Sequence, residues 1–119
     1  MNITWPGFNV YAYTGGKAFN PDQPTVVFIH GVLCDHSVWV LQSRYMAHHG
    51  WNVLAIDLPG HARSAGPAAA SVEEAADQIH AMLDAAGLDQ VALVGHSWGS
   101  LIALEAAARG AKVNVMNLS

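Results

Sequence analysis

The sequence predicts an α/β fold, a mostly parallel sheet with helices on both faces. Short apolar runs of strand length alternate along the chain with segments of helical periodicity. Two of those runs, Thr25–His30 and Val91–Val94, are apolar nearly throughout, as in strands covered on both sides. Gly and Pro punctuate the joints between them. With 119 residues, 52% hydrophobic and 12% charged, the chain amounts to one domain, residues 1–119, able to bury a core. It contains no repeat, low-complexity tail or interdomain linker.

The elements follow in order. Phe8–Tyr13 alternates enough to form a strand, closed by Gly15-Gly16. Asn20-Pro21-Asp22-Gln23-Pro24 is a turn by its Pro and Asx content. Thr25–His30 is a β-branched buried strand. Ser37 is the expected N-cap of a helix running through Trp39, Leu41, Tyr45 and Met46 to Gly50. Asn52–Ile56 is a second short apolar strand, and the stretch from Pro59 to Ala70 is a loop rich in Pro, Gly and Ala. Ser71 and Glu74 form a capping-box pair that opens the clearest helix. Its apolar positions are Val72, Ala75, Ala76, Ile79, Met82, Leu83 and Ala86, and Gly87 stands at the expected C-cap. Val91–Val94 is a third apolar strand, Trp98–Arg109 a third helix, and Val113–Leu118 a last strand.

Composition excludes several functions. Five Lys and Arg against nine Asp and Glu give a net charge of −4, which argues against a nucleic-acid partner. A single cysteine, Cys34, excludes an internal disulfide framework and fits a reducing compartment. Residues Met1 to Phe8 lack the basic and apolar regions of a signal peptide, and no apolar run reaches membrane-spanning length. A cytoplasmic location without membrane contact is therefore expected. The seven histidines are scattered and match no metal-ligand spacing, and no G-x-x-x-x-G-K loop is present. No metal and no cofactor is expected.

Three motifs carry chemistry. Gly95-His96-Ser97-Trp98-Gly99 follows a strand directly and precedes a helix directly, the context of a nucleophile elbow. So tight a turn needs small residues beside the serine, which accounts for Gly95 and Gly99. It lifts the Ser97 hydroxyl above the sheet at a helix N-terminus, where the N–H of Trp98 can meet an oxyanion. His30-Gly31-Val32 ends the neighbouring strand, and the N–H of Val32 can converge on the same point. Asp57-Leu58-Pro59-Gly60-His61-Ala62-Arg63-Ser64 closes the next strand. There Asp57 is expected to cap backbone N–H groups while Pro59 and Gly60 turn the chain.

The order HGVLCDHSVW, DLPGHARS, GHSWGS resembles the α/β-hydrolase superfamily, in its serine-nucleophile branch, over nearly the whole chain. The resemblance implies Ser97 as nucleophile and the backbone N–H groups of Val32 and Trp98 as oxyanion hole. It implies hydrolysis of an ester, lactone or amide of a small molecule. A serine at the elbow argues against the dehalogenase and epoxide-hydrolase branches. Ala62 departs from the family's D-x-P-G-x-G-x-S turn, where a second glycine is usual. Leu33 and Trp98 point to an apolar acyl site.

The triad is the larger departure. The family places its Asp or Glu and then its His after the serine. Beyond Ser97 this chain has no histidine, no aspartate and one glutamate, Glu105, roughly 12 Å along the helix axis. His36 and His61 lie upstream, but their spacing puts neither imidazole on Ser97. The chain thus resembles the N-terminal half of the family domain, ending after the strand that follows the nucleophile helix and lacking the cap and last strands. Losing the histidine of a comparable triad removes about 10⁶-fold of the rate. Three readings follow: a serine hydrolase, weak or inactive as this chain alone; a non-catalytic scaffold or binding module; and one part of a split or oligomeric hydrolase. The 113–118 edge strand is the expected place for self-association or for a completing partner.

Overall fold

A computed structural model describes residues 1–109 and the backbone of residues 113–118. Six strands form one sheet in the order β1-β2-β4-β3-β5-β6. They are β1 (Asn2–Trp5), β2 (Phe8–Tyr13), β3 (Thr25–Ile29), β4 (Asn52–Ile56), β5 (Val91–His96) and β6 (Val113–Leu118). The helices are α1 (Val40–Ala47), entered through a 3-10 turn at His36–Trp39, α2 (Val72–Ala85) and α3 (Trp98–Arg109).

The four strands β4, β3, β5 and β6 run parallel, with Val27 level with Leu54 on one side and Leu93 on the other. Each needs a crossover, and the crossovers carry the helices. Side chains alternate along these strands, so each face collects its own cluster. Val27, Ile29, Leu54, Ile56 and Leu93 point to the face where Ala75, Ala76, Ile79 and Met82 of α2 and Ile102, Ala103 and Ala106 of α3 pack. Val26, Phe28, Val53, Ala55 and Val94 point to the opposite face, against Trp39 and Ala47. The central strands β3 and β4 are buried at every position, which is why they read as unbroken apolar runs.

Two local expectations are corrected. The sequence reading contains no strand before Phe8, yet β1 pairs antiparallel with β2, and β2 pairs antiparallel with β4. The hairpin turns at Pro6-Gly7, where Gly7 takes φ 85, and Trp5 and Phe8 stack across it with ring centroids 4.8 Å apart. Four residues with only Ile3 buried leave little periodicity to detect. Second, Asp35 rather than Ser37 caps the helical entry: its carboxylate accepts the Ser37 N–H at 2.8 Å. Hydrogen bonds from Ser37 hold that carboxyl below the usual range. For α2 the expected cap stands, with the Ser71 hydroxyl accepting the Glu74 N–H at 3.1 Å.

Candidate active site

The C-terminal ends of β3, β4 and β5 bring the three sequence motifs to one edge of the sheet, where open α/β folds place their ligands. Ser97 sits in the single residue between β5 and α3 and adopts φ 57, a left-handed backbone that a non-glycine residue rarely takes. The turn leaves Ser97 exposed, and its hydroxyl has no hydrogen-bond partner among the described residues. Behind it, the Ser97 carbonyl accepts both the Ser100 N–H at 3.0 Å and the Ser100 hydroxyl at 2.6 Å. These bonds lock the first turn of α3.

The flanking glycines are required by contact. A Cβ on Gly95 would collide with the Gly99 carbonyl, and one on Gly99 with the carbonyls of Ile29 and His30. Helix α3 therefore starts directly against the end of β3. Gly31 completes this approach: a Cβ there would stand 3.3 Å from Ser97 Cβ and 3.7 Å from Ser97 Oγ. The loop after β3 thus lies on the serine.

That loop is held at two points by the turn after β4. His30, fully buried, accepts the Leu58 N–H at Nε2, 3.0 Å, and its Nδ1 meets the Gly31 carbonyl at 2.7 Å. Asp57, also fully buried, accepts the His36 N–H at 2.7 Å and meets the His36 Nδ1 at 2.8 Å; its other oxygen accepts the Arg63 N–H at 3.2 Å. Asp57 thereby caps backbone N–H groups, as its position in the turn implies. Ser64 closes the turn, donating to the Asp57 carbonyl at 2.5 Å and accepting the Tyr11 N–H at 2.9 Å. Gly60 carries φ 77, and its Cβ position is filled by Ala68. Ala62, the departure from the family pattern, is forced to φ 45.

The pair His36–Asp57 is an imidazole backed by a carboxylate, which sequence spacing did not reveal. It faces the β2 side of the sheet end. His36 packs on the rings of Tyr11 and Tyr13 of β2, at 5.1 and 6.0 Å. With β3 between β4 and β5, the ends carrying Asp57 and Ser97 are two strand spacings apart, roughly 9–10 Å. His61 is taken up by the Pro59 carbonyl at 3.1 Å and by the His30 ring, 5.2 Å between centroids. Glu105 pairs with Arg109 one turn on. Asp35, His36 and Asp57 bring ligand-type atoms within 4.8 Å of one another, but Ser37, His36 and Arg63 already occupy those carboxylates. The cluster serves the turns.

Two cavities lie on the α1 side of the sheet. One of about 230 Å³ is lined by Cys34, Val38, Trp39, Gln42 and His96, the residue next to Ser97. The other, about 390 Å³, lies farther down the sheet between α1 and Val26, Phe28 and Val94. Leu33, at φ 62, projects almost entirely into solvent, 93% exposed, and Val32 is 54% exposed. Trp98 is half-buried and packs its ring against the cluster under α2 and α3.

A mostly parallel sheet with a strained one-residue turn between a central strand and its helix is the architecture of the α/β hydrolases. The model of the alpha/beta hydrolase fold matches residues 24–115, and the chain belongs to that family. It is 38% identical over 90 residues to the 2-succinyl-6-hydroxy-2,4-cyclohexadiene-1-carboxylate synthase of Serratia proteamaculans, covering 75% of this chain and 34% of the relative. To an epoxide hydrolase of Caballeronia sordidicola it is 34% identical over 87 residues, 71% of this chain and 26% of the relative. The crystal structure of epoxide hydrolase A from Mycobacterium thermoresistibile superposes with a TM-score of 0.85 at 25% identity, over the whole of this chain and 38% of that one. The chain therefore spans about a third of the length of these relatives. No helix among the described residues is long and apolar enough to cross a membrane.

Proposed function

We propose that this chain is the nucleophile-bearing part of a serine hydrolase acting on an ester, lactone or amide of a small molecule. The observation that carries the reading is Ser97 itself: exposed, held at φ 57 on the elbow, its hydroxyl unpartnered among the described residues and Gly31 against it. Residues held in strained backbone cluster at functional sites, which supports the reading. Similarity to epoxide hydrolases and to a carboxylate synthase does not choose between branches of the family, so the choice rests on the serine.

In this reading the Ser97 oxygen attacks the substrate carbonyl and its proton passes to a base. The carbonyl oxygen, now an anion, accepts hydrogen bonds from the N–H groups of Val32 and Trp98. Collapse expels the alcohol or amine, which takes up that proton, and water then releases the acid from Ser97 by the same steps. The cavity beside His96 and Cys34 takes the acyl chain. The base and its carboxylate come from outside these 119 residues, since His36 and His61 are engaged elsewhere. The completing elements join at the outer edge of β6, where the sheet order ends among the described residues.

The test is a fusion of the chain to the C-terminal remainder of the Serratia proteamaculans relative, assayed on p-nitrophenyl butyrate. The fusion is expected to turn the ester over, and Ser97→Ala to lower kcat by about 10⁶-fold. A folded fusion without turnover, or turnover that survives Ser97→Ala, overturns the proposal.

A further inference from the structure

We infer that the cavity beside His96 is a subsite for acyl chains that carry a neutral oxygen acceptor, a ketone or ether oxygen that takes the hydrogen of Trp39 Nε1. The inference rests on the reading of that cavity as the acyl site and names the class of acyl group it selects.

The indole is the starting point. Trp39 ends the 3-10 turn before α1, is 3% exposed, and packs on Phe28 of β3 with ring centroids 4.9 Å apart. Its Nε1–H is buried and has no hydrogen-bond partner among the described residues. An indole N–H can only donate, and a buried donor without an acceptor keeps its full desolvation cost. Protein interiors seldom retain such a group. Trp39 also lines the cavity of about 230 Å³, together with Cys34, Val38, Gln42 and His96. The orphan donor and the cavity thus share one side chain.

Two chain connections tie this cavity to Ser97. His96 precedes the serine and lies two positions beyond Val94, on the face of β5 where Trp39 packs. Its ring crosses the indole at 83°, with centroids 6.4 Å apart. Cys34 donates its N–H to the Gly31 carbonyl at 3.2 Å, and a Cβ on Gly31 would stand 3.3 Å from Ser97 Cβ. Gln42 and His96 are exposed, so an entering chain moves surface side chains to reach the indole and leaves the core in place.

Charge selects the acceptor. Among the described residues no Lys or Arg lines the cavity. One neutral N–H does not offset the desolvation of a carboxylate, whereas a ketone or ether oxygen is satisfied by a single donor.

Three esters of one shape test this: ethyl 4-oxopentanoate; ethyl 4-methylpentanoate, with a methyl in place of the keto oxygen; and monoethyl butanedioate, with a carboxylate at the same end. Each is titrated into the ¹⁵N-labelled 119-residue chain carrying Ser97→Ala, so binding is read without turnover. The Trp39 indole N–H resonance is expected to move downfield with the keto ester only, with a Kd at least about tenfold below those of the other two. In Trp39→Phe the keto and methyl esters are expected to bind within about twofold of each other. An indole resonance indifferent to the keto ester, equal affinity for the keto and methyl esters, or tighter binding of the half-ester overturns the inference. Should Trp39→Phe not fold, the titration of the chain with its indole intact decides alone. A keto preference here beside a fusion that fails to turn over p-nitrophenyl butyrate upholds the subsite and rejects the hydrolase reading. Turnover by the fusion with equal kcat/KM for keto and methyl esters rejects the subsite alone.

Discussion

Among the described residues, three that are not glycine hold left-handed backbone: Leu33, Ala62 and Ser97. Two belong to the loops around the serine and the third is the serine. Ala62 is exposed and lies where the family pattern has glycine. Its Cβ strain costs about 1–2 kcal/mol. Glycine there would remove the strain and loosen the unfolded chain by part of that amount. Ala62→Gly is expected to raise unfolding stability by roughly 0.5–1 kcal/mol, seen as a higher urea midpoint at unchanged slope. At Ser97 the same relief would come with loss of the hydroxyl on which the proposed function depends.

At the scale of the elements, the joint between β5 and α3 leaves no room for a side chain at either glycine. Gly95 admits no side chain because the Gly99 carbonyl and Ser100 Cα occupy its Cβ position. Gly95→Ala is expected to destabilise by about 3 kcal/mol or more, since backbone rather than a flexible side chain must move, and calorimetry would register the lowered Tm. This joint was legible in the sequence: a glycine pair around a serine, between an apolar run and a helical one, has few other uses. The central strands and α2 were legible for the same reason, since burial on both faces or on one helical stripe writes itself into the pattern. What the sequence hid is tertiary. Asp57 and His36 are separated by 21 positions and meet only because the loop after β3 folds over the end of β4. The Asp35 cap competed with an equally suitable Ser37 two residues on. The short strand β1 leaves no pattern in the sequence because only one of its side chains is buried.

For the whole molecule, the buried His30 links stability to pH. Burial lowers its folded value, with His61 adding in the same direction while the Gly31 carbonyl, Asp57 and Asp35 oppose. In the unfolded chain it titrates near its ordinary value of about 6.5. Below that pH the unfolded chain therefore binds a proton that the folded chain refuses. The stabilisation is present above about pH 6.5 and is lost as the pH falls toward the folded value. Urea midpoints are expected to fall between pH 7 and pH 5 in the parent and to fall less in His30→Asn.

The proposed reading of the whole molecule is a serine elbow whose base comes from outside these residues, and one measurement tests it most directly. The measurement is intact mass after treatment with a fluorophosphonate, on the 119-residue chain, on its fusion to the C-terminal remainder of the Serratia proteamaculans relative, and on Ser97→Ala of each. The expected result is no adduct on the folded chain alone, one adduct on the fusion, and none on either variant. An adduct on the chain alone would place a working base within these residues, and an adduct surviving Ser97→Ala would place the nucleophile elsewhere; either would contradict the account.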